Sequence, residues 1–221
     1  MSTRSKLTFF IISLLIIDQA VKIWIKTHMM IGQDFSVLGD WFKILFVENN
    51  GMAFGMELGA GKWAKTILSL FRIVAVFGIG WYILKLIKEK APLGVLFSFA
   101  LIFCGAIGNI IDSLFYGMIF NDSHYQVATL FPPEGGYSSF LHGRVVDMLY
   151  FPLIKGQFPS WFPFWGGEDF LFFRPVFNLA DSYITIGVCI LILFYRHFFA
   201  DKKKRGTAIP KNKWFSPVQF L

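Results

Sequence analysis

The chain has 221 residues, of which 55% are hydrophobic and 16% charged, with a formal net charge of +7. Soluble domains carry about a quarter charged residues, so this balance excludes an ordinary soluble fold and points to a protein of the bilayer. The two cysteines and four histidines show no ligand or disulfide spacing, which argues against a zinc enzyme or a disulfide scaffold.

A helix crosses the hydrocarbon core with about 20 mainly apolar residues. The first such stretch is Leu7–Ile25, entered through Arg4 and Lys6 and interrupted by Asp18, Gln19 and Lys22. Its basic start would suit a cleavable signal sequence, but Asp18-Gln19-Ala20-Val21-Lys22 offers no small-residue cleavage site. An uncleaved first helix is therefore expected. Residues 28–62 form an outer segment in which Phe35–Leu38 and Trp41–Val47 are β-prone and flank Gly39-Asp40, a plausible tight turn. In Glu48-Asn49-Asn50-Gly51 the Asn-Gly pair favours a hairpin. The glycine-broken Met52-Ala53-Phe54-Gly55 is a poor returning strand, so Asn49 and Asn50 are expected to serve something else.

The second stretch is Thr66–Leu84, and residues 86–92 make a minimal turn ended by Pro92. The third, Leu93–Ile111, runs into Gly105-Ala106-Ile107-Gly108-Asn109-Ile110-Ile111-Asp112. Its small residues let membrane helices approach closely, and Asn109 can hydrogen-bond across such a contact. Residues 114–176 form a long outer region of two characters. Asn121–Tyr137 is polar and reads as an exposed loop, whereas Phe158–Phe173 is dense in Phe and Trp, as at a membrane–water interface. The fourth stretch is Ser182–Phe199, followed by a basic tail, 200–221. Cys104 and Cys189 fall within spans and are expected to be small buried apolar residues.

Lys202-Lys203-Lys204-Arg205 and the turn bearing Lys85, Lys88 and Lys90 mark the cytoplasmic side. Four spans then place both termini inside. Lys26, Lys43, Lys62 and Lys65, in or beside the first outer loop, depart from that rule. The net positive charge suits these clusters to anionic lipid, so the bilayer is the expected partner and nucleic acid is not.

Asp147 and Asp181 stand out because acids at a membrane edge are costly and functional by default. Each also has a purely structural role open to it. Asp147 follows Arg144 by three residues and could pair with it, while Val145 and Val146 favour an extended backbone. Asp181 lies at N3 of a helix capped by Asn178, where it could answer the cap and meet the helix dipole. Asp18 and Lys22, four residues apart, could form an ion pair that eases insertion. With the N-terminus inside, Asp18, Glu48, Asn49, Asn109, Asp112, Asp147, Asn178 and Asp181 all fall toward the outer side. A proton-coupled transporter would place ionisable groups near the midplane with access from both sides. The one-sided layout favours a site that faces the outer leaflet and takes a membrane-anchored substrate.

Five blocks in order resemble the lipoprotein signal peptidases, the type II intramembrane aspartyl peptidases of bacteria. They are Asp18-Gln19-x-x-Lys22, Asn49-Asn50-Gly51-Met52-Ala53-Phe54, Gly105-x-x-Gly108-Asn109-x-x-Asp112, Val145-Val146-Asp147 and Phe177-Asn178-x-Ala180-Asp181. The resemblance implies an all-α polytopic fold of four transmembrane helices, with a small extracytoplasmic β-cradle and an outer amphipathic or aromatic segment. It makes residues 1–221 a single membrane-embedded peptidase domain of the bacterial inner membrane, expected as a monomer, with no cofactor. The substrate it implies is a prolipoprotein carrying diacylglycerol on the cysteine after the cleavage point. Asp147 and Asp181 then become the catalytic dyad, with Asp18, Gln19, Lys22, Asn49, Asn50, Gly51, Asn109, Asp112 and Asn178 in support.

There are two departures. The family usually has arginine after the acid matched by Asp112, where this chain has Ser113; Arg144 is the expected substitute for that charge. The outer segments 114–143 and 152–175 are longer than in many relatives, and the aromatic one either covers the substrate's acyl chains or lies on the bilayer. Two close carboxylates sharing one proton could supply both base and acid for peptide hydrolysis near neutral pH. A small transporter and a non-catalytic scaffold are the rival classes; the scaffold would tolerate Asp→Asn at both positions.

Overall fold

A computed structural model of the chain describes residues 1–50 and 62–198. The expectations placed on Gly51, Met52-Ala53-Phe54, Phe199 and the basic tail lie outside them. Among the described residues three helices are long and apolar enough to cross a membrane. They are α1 (Thr3–His28), α2 (Lys62–Lys88) and α3 (Leu93–Ile111) with its continuation. Pro92 caps α3 without a side-chain hydrogen bond, so the turn after α2 is as short as expected.

Two boundaries differ from the sequence reading. Beyond Ile111 the chain stays helical, through a π turn (Asp112–Tyr116) and the short α4 (Gly117–Ile119), so the apolar helical run extends to Ile119. The last helix, α5 (Leu179–Phe194), has 16 residues. At 1.5 Å per residue that is about 24 Å, short of the roughly 30 Å hydrocarbon core.

The outer elements form a four-stranded antiparallel sheet in the order β1-β2-β3-β6. β1 (Asp34–Leu38) and β2 (Phe42–Asn49) flank the turn at Gly39-Asp40, as their β-prone residues implied. β3 (Val145–Tyr150) carries the two valines and Asp147, and β6 (Val176–Phe177) leads straight into α5. Ile44 faces Leu149 while Val47 faces Asp147, so β2 holds one extra residue there. Such a bulge re-aims a strand. Here Phe46 is fully buried beside Val146 and Met148, and Asn49 ends the strand opposite Val145.

A second, separate hairpin pairs β4 (Ile154–Gln157) with β5 (Asp169–Phe172). The aromatic stretch therefore contains strands that its prolines and glycines hid.

Two apolar clusters pack the molecule. One joins Ile25 and Met29 of α1 to Phe46, Tyr116, Val146 and Met148 under the sheet. The other joins Leu7 to Leu86, Val95, Leu96, Ala100 and Leu191 among the helices. Along α1, Asp18 and Lys22 lie between the two clusters. α3 and α5 touch closely: a Cβ on Gly105 would stand 2.1 Å from the Ala180 carbonyl oxygen. One on Gly108 would stand 2.6 Å from an Asp18 carboxylate oxygen. The packing role expected of these glycines is the one they have. Of the two cysteines, Cys104 is buried but Cys189 is exposed on α5, because an apolar residue on a bilayer helix can face outward as readily as inward.

Candidate active site

The polar layer is assembled from α1, α3, β2, β3 and the start of α5. Its hub is Lys22, fully buried, whose Nζ lies 3.1 Å from Asp18 and 2.9 Å from Asp112 and donates to Asn109 Oδ1 at 3.0 Å. The i,i+4 pair expected of Asp18 and Lys22 is thus present but forms one edge of a larger set. Gln19, which that pair left unexplained, donates to Asp18, to Asp112 and to the Gly108 carbonyl, and accepts from the Tyr116 hydroxyl.

Each buried acid of the hub holds a second element. Asp18 Oδ1 accepts from the backbone N–H of Ala180 at 3.0 Å, satisfying a donor that the first turn of α5 would otherwise leave open and placing negative charge at its positive end. Asp112 Oδ2 accepts from the backbone N–H of Val146 at 3.2 Å, which fixes β3 one residue before Asp147. The hub therefore ties both elements that carry the two candidate aspartates.

Two asparagines complete the layer. Asn178 caps α5: its Oδ1 accepts from the Asp181 N–H at 2.9 Å. Its Nδ2 donates to Asp147 Oδ1 at 2.7 Å and to Asn109 Oδ1 at 3.1 Å. Asn109 Oδ1 accepts from Lys22 and Asn178, which turns its Nδ2 toward Asp181 Oδ1 at 2.7 Å. Both amide orientations are dictated by their partners. Asp147 Oδ2 also accepts from Asn49 Nδ2 at 3.2 Å. Asp181 meets the cap through its backbone N–H while its carboxylate accepts from Asn109, so the simple capping role does not account for it.

Asp147 is 3% exposed, and Asp181 lies half-buried at the helix start. Burial, and then the nearby charge of Asp181, push the Asp147 carboxyl up from the usual carboxylate range to about 7. The bonds from Asn49 and Asn178 work against that rise without cancelling it. A carboxyl that titrates near neutrality beside a second carboxylate can hold a proton or release it, as general acid–base chemistry requires. No group of three or more His, Cys, Asp or Glu side chains among the described residues is placed to hold a metal ion.

Arg144 does not pair with Asp147, and its charge is spent elsewhere. Its Nη1 lies 2.8 Å from Glu48 and 3.3 Å from Asp122. Glu48 also pairs with the fully buried Lys26, which donates in turn to Ser123 at 2.9 Å. This second network draws part of the 121–137 loop inward: Ser123 and Ala128 are buried, and Ala128 N–H donates to the Lys26 carbonyl. The loop is therefore only partly the exposed segment its polarity suggested. Asn50 accepts from Lys65 at 3.2 Å. Ser113 is buried and donates to the Asn109 carbonyl at 3.0 Å. Arg72 of α2 is the cation near the aspartates that the sequence reading missed; it feels the carboxylates of Asp181, Asp112 and Asp147. An arginine inside the apolar run Leu70-Phe71-Arg72-Ile73 was itself the available signal.

Residues 10–197 match the family model of signal peptidase (SPase) II. The lipoprotein signal peptidase of Porphyromonas gingivalis is 56% identical over 186 residues, covering 84% of this chain and 80% of the relative. That of Amoebophilus asiaticus is 38% identical over 196 residues, covering 86% and 78%. A bacterial membrane enzyme solved by the in meso method at 1.9 Å resolution superposes with a TM-score of 0.56 at 25% identity, over 86% of this chain and 91% of the other.

Proposed function

Because the chain belongs to the signal peptidase II family, we propose that Asp147 and Asp181 are the dyad of an aspartic endopeptidase that cuts prolipoproteins just before the diacylglyceryl cysteine. The chain is a multi-pass membrane hydrolase, a protease of lipoprotein maturation. The observation that carries the finer reading is the Asp147–Asn178–Asn109–Asp181 chain of hydrogen bonds. It holds two carboxylates through neutral amides inside a layer whose other buried acids, Asp18 and Asp112, are answered by Lys22.

With one proton on the pair, the ionised carboxylate takes a proton from water as its oxygen attacks the scissile carbonyl. The protonated partner donates to the carbonyl oxygen, giving a neutral tetrahedral diol. Collapse breaks the C–N bond: the protonated carboxyl gives its proton to the leaving amine, the other carboxylate takes one from a diol hydroxyl as the C=O reforms, and the pair is again in its one-proton state. Apolar surroundings and the like charge favour the shared proton. Asn109 and Asn178 orient the carboxylates, and the Lys22 hub holds α5 and β3 in register.

In this reading residues 1–221 form one membrane-embedded domain, with α5 completing a fourth crossing. Both termini face the cytoplasm of a bacterial inner membrane, and the dyad opens to the outer side. The protein works as a monomer on a membrane-anchored prolipoprotein. Incubating the purified protein with a diacylglyceryl-modified prolipoprotein tests this directly. Asp147→Asn and Asp181→Asn should each slow cleavage by about 10³-fold or more while remaining folded in the membrane. Substantial activity in either variant would remove the dyad, and failure of the wild type to cut would remove the substrate.

A further inference from the structure

The β4–β5 hairpin forms a sheet of its own, and its two strands pack chiefly on each other. An isolated two-stranded hairpin is marginal in water and needs another surface. Part of that surface is internal. The Phe158 ring lies 5.0 Å, centroid to centroid, from both Phe162 and Phe170. Gly156 makes this possible, since a Cβ there would stand 2.6 Å from the Phe170 ring.

The remaining aromatic surface turns away from this small core. At the connection between the strands, Trp161 is 78% exposed and Phe164 93%. Phe164 also has φ +68°, in the left-handed region where bulky residues rarely stand. A conformational cost is thus accepted in a turn that displays an aromatic ring. At the opposite end Lys155 and Arg174 flank an open groove of about 460 Å³, with Asp169, Phe170 and Leu171 completing it.

The chain's course says what covers this surface. The hairpin leaves β3 and returns through β6 into α5, whose own apolar residues, such as Ile186 and Leu193, are exposed as those of a lipid-facing helix are. Phe173 meets Phe177 at 6.2 Å just before that helix begins. An aromatic surface tethered to the end of a bilayer helix continues that helix's lipid contact. Aromatic rings favour the headgroup level, and cations favour lipid phosphate.

We propose that the 153–174 hairpin is a membrane-anchoring arm: its Trp161–Phe164 tip is seated among bilayer phospholipids, and Lys155 and Arg174 face their phosphates. The arm is occupied by lipid whether or not substrate is bound. Which leaflet it enters follows from the topology proposed above, but contact with lipid does not depend on the dyad.

The test uses the full chain with Cys104→Ala and Cys189→Ala. A single nitroxide is placed through Phe164→Cys, Trp161→Cys or, as a water-exposed control, Tyr125→Cys. In substrate-free proteoliposomes of phosphatidylethanolamine and phosphatidylglycerol, labels at 164 and 161 should collide more with oxygen than with a water-soluble nickel chelate. The label at 125 should show the reverse. Water-like behaviour at both 164 and 161 would overturn the proposal. So would lipid-like behaviour that appears only after a lipidated prolipoprotein is added, which would assign the tip to the substrate.

Discussion

Lys22 and Lys26 stand one helical turn apart on α1, both fully buried, yet the networks they anchor are built on opposite charge plans. Around Lys26 the charges alternate and balance: Lys26 with Glu48, Glu48 with Arg144, Arg144 with Asp122. Around Lys22 they do not. Asp18 and Asp112 share that one lysine, and Asp147 and Asp181 join the layer through asparagine amides. Arg72 approaches from α2. The balanced network holds α1, β2 and the 121–137 loop together. The other carries an excess of negative charge, which a proton on Asp147, whose carboxyl is held up to about 7, would reduce. Buried charge that closes on itself supports structure, and buried charge left in excess supports proton chemistry.

This contrast can be broken by substitution. The two Asp→Asn variants of the dyad should give the largest loss of rate, with stability little changed. Glu48→Ala should do the opposite. It leaves Lys26 buried without its carboxylate and should cost about 3–5 kcal/mol, read as a lower unfolding midpoint in detergent, while the folded fraction keeps its cleavage rate. An unmoved midpoint would end the structural role of that network. Asn178→Ala should fall between. It removes a helix cap worth about 1 kcal/mol and a charged hydrogen bond to Asp147 worth about 1.5–3 kcal/mol, so cleavage should slow roughly 10- to 100-fold.

The same variant has a pH signature. The Asp147 carboxyl, held up near 7 by burial and by Asp181, loses its proton as pH rises through that value, so wild-type cleavage should decline on the alkaline side. Asn178 donates to the ionised form, and without it the carboxyl titrates higher and the decline moves to higher pH. The sign for stability follows. An unfolded aspartate ionises near pH 4, so between about pH 4 and 7 the folded state binds more protons at this group, and its contribution falls as pH rises. The smallest effect should come from Arg144→Ala, a partly exposed partner worth about 1 kcal/mol or less. Cleavage should be nearly unchanged, whereas Arg72→Ala should slow it; the reverse ranking would return Arg144 to the aspartates.

Much of the site could be read in the sequence because its chemistry is expensive. Asp18, Lys22, Asn109, Asp112, Asp147, Asn178 and Asp181 are polar residues in apolar surroundings, and the structure gathers all seven into one layer. β1, β2 and the Gly39-Asp40 turn were legible from β-prone residues and turn chemistry. What was missed has physical reasons. Lys26 and Glu48 pair across 22 residues, a separation no local pattern reports. The three-residue spacing of Arg144 and Asp147 suggested a pair, but on a strand odd spacings point to opposite faces. β4 and β5 are short strands interrupted by Gly156 and bounded by Pro159 and Pro175, so composition suggested irregular chain. The π turn after Ile111 leaves no mark in hydropathy.

The order in which buried partners leave the ribosome gives the Lys22 hub a meaning for assembly. Lys22 meets Asp18 within its own helix, so α1 carries a compensated charge from the moment it forms. Lys26 waits 22 residues for Glu48, and Lys22 itself waits 90 for Asp112. Asp18 reaches its last partner, the Ala180 N–H, only when nearly the whole described chain has been made. The contact that seats α5 is thus the latest to become available, and it brings Asp181 to Asn109. A molecule interrupted at any earlier point lacks Asp181, so under the proposed dyad proteolytic capacity would appear only in a chain whose membrane scaffold is already in place.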